Sequence, residues 1–150
     1  MSIEIIEFNK DDIEIKNKIS SLMTESLIDE YGNPPNDSYI KDLLDYYHSR
    51  EDSKIFFLLE NSEIAGFTWL IESEDVITAN KFICVLYLYI TEPFRGKGYS
   101  KILMKKNVEY SKSIGINQLR LSVRKNNPNA INLYDSLGYK TYKYEMCLDI

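Results

Sequence analysis

Nine consecutive apolar residues, Phe82 to Ile90, pass directly into Thr91-Glu92-Pro93-Phe94-Arg95-Gly96-Lys97-Gly98-Tyr99-Ser100 and then into a helical pattern. The run is far shorter than the roughly 20 residues that cross a membrane, and its density predicts a central strand covered on both faces. Ile102, Leu103, Asn107, Tyr110 and Ile114 follow broadly in helical register, and Gly115 ends that helix. A strand that enters a glycine-containing loop and then a helix start is a site for a phosphate group. The first-turn N–H groups are unpaired, the helix dipole adds about half a positive charge, and glycines let a ligand approach the backbone. Arg95, Lys97 and Lys101 add positive charge at the same end. A P-loop requires GxxxxGK[ST], which is missing, and Gly96-Lys97-Gly98-Tyr99-Ser100-Lys101 lacks the third glycine of a GxGxxG fingerprint and comes late in the chain.

The flanking segments surround this element with alternating strand and helix patterns. Ser2 to Phe8 alternates as a first strand, and Ile15, Ile19, Leu22, Met23 and Leu27 share one face of a helix of about residues 12 to 30. Gly32-Asn33-Pro34-Pro35 stops it, and Asp37 or Ser38 can cap a second helix carrying Ile40, Leu43, Leu44 and Tyr47. Lys54–Leu59 and Ile64–Glu72 form a hairpin across Asn61-Ser62, with a polar stretch from Ser73 to Asn80 before the apolar run. Asn117–Val123 alternates as a strand, and Asn127-Pro128 places an N-cap and a first-turn proline before a helix of about 129 to 137, closed by Gly138. Tyr139–Leu148 supplies a closing strand or strand pair. The order β-α-α-β-β-β-α-β-α-β predicts an α/β (mixed α+β) sheet with helices packed on it. With 150 residues and no linker, repeat or low-complexity tract, a single domain over 1–150 is expected.

Charge and composition narrow the functional classes. The net charge of −5 argues against nucleic acid as a partner. It is unevenly distributed: residues 1–90 hold seven Lys/Arg against 18 Asp/Glu, a net of −11, while residues 91–150 hold 11 against five, a net of +6. A surface of one sign concentrates the opposite charge, so the second part suits an anionic ligand and the first a cationic one. Cys84 and Cys147 have no CxxC spacing, and with one histidine, His48, they do not assemble a zinc site, so no metal is expected. Both cysteines lie in expected strands as small hydrophobes. Acids, Asn and Lys interrupt the first 20 residues, so no secretory leader is expected; no membrane association and a reducing, cytoplasmic setting follow.

Pro93 and Arg95-Gly96-Lys97-Gly98-Tyr99-Ser100 resemble the acyl-CoA-binding motif of the GNAT superfamily of N-acetyltransferases, [QR]-x-x-G-x-[GA], with Ser100 where Gly or Ala is usual. A second signature of that family, N-x-x-A-x-x-L-Y-x-x-x-G-[FY], is matched by Asn127, Ala130, Leu133, Tyr134, Gly138 and Tyr139. The resemblance implies a mostly antiparallel twisted sheet with a splayed strand pair, flanked by about four helices. It also implies an acyltransferase that moves an acetyl group from acetyl-CoA to a primary amine by direct attack in a ternary complex.

Carried onto this chain, the resemblance implies that the N–H groups of Arg95, Gly96, Lys97, Gly98, Tyr99 and Ser100 cradle the pyrophosphate of coenzyme A. The backbone of Leu88, Tyr89 and Ile90 would pair with the pantetheine arm and supply an oxyanion-binding N–H, in a gap between this strand and the one containing Leu121. Asn127 would bond the pantetheine, and Tyr134 would be the general acid for the departing thiolate. Many relatives carry a Glu at the position of Tyr87; here the base is open among Glu25, Glu30 and Glu72, acting through water. The acidic first part favours a cationic acceptor: a polyamine, an amino sugar or a basic peptide. An edge strand near the C-terminus could pair two copies as a homodimer. The missing Glu keeps a second reading open, a catalytically inactive CoA-binding sensor or partner subunit, and a nucleotide-binding oxidoreductase is disfavoured by the absent third glycine.

Overall fold

The computed structural model describes residues 1–36 and 38–150. Five strands, β1 (Ile3–Glu7), β2 (Ser53–Glu60), β3 (Glu63–Glu74), β4 (Lys81–Ile90) and β5 (Leu119–Arg120), lie side by side in chain order. The first three pairings are antiparallel and β4–β5 is parallel, so the sheet is mostly antiparallel, as expected. Four helices flank it: α1 (Ile13–Tyr31), α2 (Tyr39–His48), α3 (Tyr99–Ser113) and α4 (Pro128–Ser136).

Local chemistry sets the helix ends. The Asp12 carboxylate accepts from the Ile15 N–H at 3.1 Å and caps α1, and Gly32 closes it in the left-handed conformation at φ 78°. Asp37, one of two candidate caps for α2, lies outside the described residues. Ser38 stands at the cap position, yet its side chain makes no cap bond; the Asn36 side chain instead accepts from the Ser38 N–H at 3.2 Å. Asn61 and Ser62, both at positive φ, turn β2 into β3 as the hairpin reading requires.

Strand alternation divides the core between the two sheet faces. Ile55, Phe57, Phe67 and Trp69 pack beneath α1 and α2 with Ile19, Met23 and Leu44. Phe56, Leu70, Ile83 and Val85 pack with Met104 of α3 on the other face. Burying each large apolar side chain contributes roughly 1.5–3 kcal/mol. Trp69, fully buried, keeps its indole N–H bonded to the Ser53 hydroxyl at 2.6 Å.

Two expected strands differ from the structure. Asn117–Val123 is reduced to Leu119–Arg120, whose only register partners on β4 are Ile83 and Cys84. Tyr139–Leu148 forms no strand at all, and Tyr144, Met146 and Leu148 stand exposed. The cause is shared: β5 is too short to offer a ladder, so the period-2 pattern of the tail has no edge to join. Cys147 is accordingly exposed rather than packed in a strand, while Cys84 is half-buried. β4 is also less covered than a central strand, with Tyr87 to Tyr89 half-buried, because no strand among the described residues pairs with its outer edge beyond Cys84. No helix among the described residues is long and apolar enough to cross a membrane.

Gly66 of β3 lies opposite Ile90, and a Cβ there would overlap the Tyr89 carbonyl oxygen and sit 2.6 Å from the Ile90 Cδ1. Gly66→Ala is therefore expected to cost about 1–3 kcal/mol in urea unfolding, because the backbone at the end of β4 has to move.

Candidate active site

The site begins where β4 and β5 part. β4 pairs with β3 along its whole length to Ile90, whereas its pairing with β5 stops at Cys84–Arg120. Past that point, Val85 to Ile90 have no strand on their outer side among the described residues. A bulge adds to the divergence: Trp69 pairs with Tyr87 and Leu70 with Val85, leaving Leu86 without a partner.

A buried polar chain fixes the backbone beside the bulge. The Asn107 amide of α3 donates to the Thr68 hydroxyl at 3.0 Å, and that hydroxyl donates to the Tyr87 carbonyl at 3.1 Å. Thr68 and Asn107 are both wholly buried. Because a trans peptide sets C=O and N–H on opposite sides, the Leu88 N–H is directed away from β3, toward the open edge. Neither Thr68 nor Asn107 was among the expected site residues. Asn107 falls in the helical register of α3, and its polarity at a position that register buries is the only signal the sequence carries.

At the end of β4 a short 3₁₀ turn, Glu92–Phe94, leads to Gly96 and Gly98, both in the left-handed region at φ 78° and 79°. A Cβ at either would meet nothing within 4 Å, so the turn faces open space. The Arg95 N–H is already taken by the Glu92 carbonyl at 3.2 Å, which removes one of the six amides expected to cradle an anion. The N–H groups of Gly96, Lys97, Gly98, Tyr99 and Ser100 have no backbone partner among the described residues, and α3 starts there without a side-chain cap. These open amides fit a pyrophosphate.

The side-chain charges expected to assist them are engaged elsewhere. Arg95 donates to the Ile90 carbonyl at 3.0 Å, to Asp29 of α1 at 2.6 Å and to the Tyr89 hydroxyl at 3.2 Å, and lies over the Tyr89 ring. Lys97 donates to both oxygens of Glu60 at 2.9 and 3.0 Å. Tyr99 donates to the same carboxylate. Lys101 forms no ion pair among the described residues and remains the side-chain cation at the turn.

Several further candidate residues gather on the α1 face. Tyr87 and Tyr89 pack against the core beneath α1 and α2. The Tyr87 and Tyr39 hydroxyls are 2.9 Å apart, and burial, then this bond, pushes the Tyr87 phenol far above its ordinary value. Burial and the bond to Asp29 do the same for Tyr89, while Arg95, then Tyr89, holds Asp29 below the usual carboxylate range. Glu25 is close enough to Tyr89 to add to its shift. Glu30 pairs with Arg124 at 3.4 Å, and Arg124 lies over the Tyr31 ring at 4.4 Å. Glu72 is not part of this group. It pairs with Ile83 on the α3 face and neighbours Tyr110 there, so the structure sets it on the opposite side of the sheet from Tyr87.

Asn127 caps α4, its side-chain oxygen accepting from the Ala130 N–H at 3.2 Å, which leaves its amide N–H₂ for another partner. Tyr134, about two helix turns further, packs against the α3-face core, as do Leu88, Leu121 and Tyr139. Burial, then the charge of Glu30, raises its phenol and keeps it protonated. Burial also pushes the Cys84 thiol up, the wrong direction for a nucleophile. The His48 Nε2 is buried without a partner on α2, apart from these groups.

The acetyltransferase (GNAT) family model matches residues 20–139. The chain belongs to the GNAT family. It is 33% identical over 82 residues to the uncharacterized N-acetyltransferase YycN of Bacillus subtilis, covering 55% of this chain and 51% of that protein. It is 26% identical over 90 residues to the L-ornithine N5-acetyltransferase NATA1 of Arabidopsis thaliana, covering 59% of this chain and 40% of that one. The chain thus aligns with about half or less of the length of these relatives. A predicted acetyltransferase from Clostridium acetobutylicum, solved with acetyl-CoA, shares the fold with a TM-score of 0.81 at 19% identity, over 99% of this chain and 96% of that one.

Thr68→Val keeps shape and removes the hydroxyl, taking away its bond to the Tyr87 carbonyl and the acceptor of the buried Asn107 amide. Urea unfolding is expected to show a loss of about 1–3 kcal/mol, with Thr68→Ser recovering most of it.

Proposed function

We propose that residues 1–150 form a single N-acetyltransferase domain that transfers an acetyl group from acetyl-CoA to a primary amine on a cationic acceptor, by direct attack in a ternary complex. One observation carries this reading: amides at Gly96–Ser100, without a backbone partner among the described residues, stand at the end of a strand whose outer edge meets no other strand there from Val85 to Ile90, with the Ile90 carbonyl held by Arg95. The amides suit the diphosphate, and the open edge suits an extended amide-bearing arm that adds to the sheet as a strand would.

Acetyl-CoA supplies an acetyl group already activated as a thioester. The protein's part is positioning, charge stabilisation and proton handling. The backbone of Leu88, Tyr89 and Ile90 lines the arm, with the Leu88 N–H, aimed by Thr68 and Asn107, available to a carbonyl oxygen that gains negative charge. Asn127 contributes its free amide N–H₂. Tyr134 donates to the departing sulfur. A thiolate of ordinary pKa about 8.5 is a weak acceptor for a phenol raised above about 10, but the same apolar surroundings raise the basicity of the sulfur too, so the two stay matched.

On the acceptor side, Glu25 and Glu30 with Tyr31, Tyr39, Tyr87 and Tyr89 make an acidic, aromatic surface suited to a cation. With Tyr87 where a base is common and its hydroxyl bonded to Tyr39, the ammonium proton leaves through water toward Glu25 or Glu30. Polyamines, amino sugars and basic peptides have this chemistry, as does L-ornithine, the acceptor in one relative's name. The second reading, a CoA-binding sensor without turnover, draws on the same Tyr87.

A panel of neutral and cationic amines, assayed by thiol release from acetyl-CoA, separates these readings. Cationic amines are expected to turn over fastest, with an advantage that shrinks as salt rises; equal rates across the panel remove the charge preference, and no thiol release with any amine favours the sensor. Tyr134→Phe is expected to lower kcat about 100-fold while CoA binding holds. Because the raised phenol keeps its proton, kcat is expected to show no alkaline decline from Tyr134 below about pH 10.

A further inference from the structure

The phosphate-facing turn is held from outside itself. Gly96 and Gly98, either side of Lys97, are free to adopt many conformations, and the turn's own backbone bonds are few: Arg95 N–H to Glu92 at 3.2 Å, and Lys101 and Ile102 N–H to Gly98 at 3.2 and 3.4 Å. Two carboxylates fix it: Asp29 holds Arg95 at its start, and Glu60 holds the glycine segment itself. Glu60, the last residue of β2, is 8% exposed and receives Lys97 on both oxygens, at 2.9 and 3.0 Å, together with the Tyr99 hydroxyl. Lys97 and Tyr99 flank Gly98 in sequence, so their convergence on Glu60 clamps that glycine from both sides.

Glu60 is itself rigidly placed. It pairs with Ile3 of β1 and with Glu63 across the turn, and the next residue, Asn61, exchanges bonds with Ser2 at 2.9 and 3.0 Å. The carboxylate therefore sits on the sheet, 37 residues before the lysine it holds. Bonds from Tyr99, then Lys97, keep it ionised well below the usual carboxylate range, and the same bond raises the Tyr99 phenol to about 12.

We infer that Glu60 is a positioning residue for the cofactor turn: it holds Lys97 and Tyr99 on the sheet side of the loop, so that the amides of Gly96 to Ser100 stay open toward the ligand. Lys97 is then an anchor of the turn and not a phosphate ligand. This rests on the acetyl-CoA reading above. A preorganised loop loses less freedom when its ligand arrives, so the effect appears in cofactor affinity and not in the chemical step.

The test uses the full-length chain with acetyl-CoA and with CoA alone. Glu60→Gln keeps an acceptor for Tyr99 and removes the charge that holds Lys97. It is expected to raise the acetyl-CoA KM and the CoA Kd on the order of tenfold, with kcat at saturation and the acceptor KM within about twofold of wild type. Tyr99→Phe, which leaves the Glu60–Lys97 pair intact, is expected to move the same two constants in the same direction by less. Lys97→Met combined with Glu60→Gln is expected to be no worse than either alone, because both changes break one linkage. Were Lys97 a phosphate ligand, freeing it by Glu60→Gln would tighten CoA binding; tighter or unchanged binding overturns the proposal. A loss shared equally by kcat and both KM values, as general destabilisation gives, also overturns it. Failure of wild-type protein to bind CoA sinks the cofactor reading itself, an outcome distinct from a wild-type affinity that Glu60→Gln leaves unmoved.

Discussion

Everything at the site follows from the unequal pairing of β4. One edge is bonded to β3 from Lys81 to Ile90, and the other meets β5 at Ile83 and Cys84 alone. An unpaired strand edge exposes N–H and C=O groups that seek partners, and proteins normally cover or blunt such an edge. Here it stays open beside a turn with unpartnered amides. A ligand with an anionic end and an extended amide-bearing arm satisfies both sets of groups at once. A compact anion satisfies only the first.

The charge pattern of the folded chain is sharper than the split between its two parts suggests. Arg95 is held by Asp29, Lys97 by Glu60 and Arg124 by Glu30, each a cation from the second part against an acid from the first. Most of the expected positive field around the turn is thereby cancelled, and the helix start with Lys101 remains. The pairs do mechanical work instead: Arg95 joins the turn, the end of β4 and α1 in one contact, so the glycine turn and α1 are tied together. The Arg95–Asp29 and Arg124–Glu30 pairs are exposed and of a kind that contributes little to stability, commonly below about 1 kcal/mol, so their value lies in alignment.

Features carried by contiguous residues were legible in the sequence. The apolar run, the paired glycines and the Asn127-Pro128 start of α4 depend on neighbours a few positions apart, and each appears where expected. Features set by register were not. The partner of Lys97 is 37 residues away, and Thr68 meets Tyr87 only because β3 and β4 align as they do. Glu72 is, in the sequence, as open a candidate for the base as Glu25 and Glu30; whether it faces α1 or α3 depends on strand parity, which a single bulge inverts. The C-terminal alternation was misread for a related reason: period 2 marks a segment able to pair, but the length of the neighbouring edge decides whether it does.

The bulge at Leu86 links these observations. Val85 packs toward α3 and Tyr87 toward α1, although two residues apart in one strand they would ordinarily share a face. The extra residue shifts parity, so the apolar positions before it serve one core and the tyrosines after it serve the other. Beside it the Tyr87 carbonyl accepts from Thr68, and Leu88 lies on the α3 side, against the core that Tyr134 also meets. One inserted residue therefore does two things: it turns Tyr87 and Tyr89 toward the acids of α1, and it sets the Leu88 side chain against the core on which Tyr134 also packs, with the Leu88 N–H directed to the open edge. A uniform strand could supply the aromatic surface or the directed amide, but the parity change is what brings both to the same place.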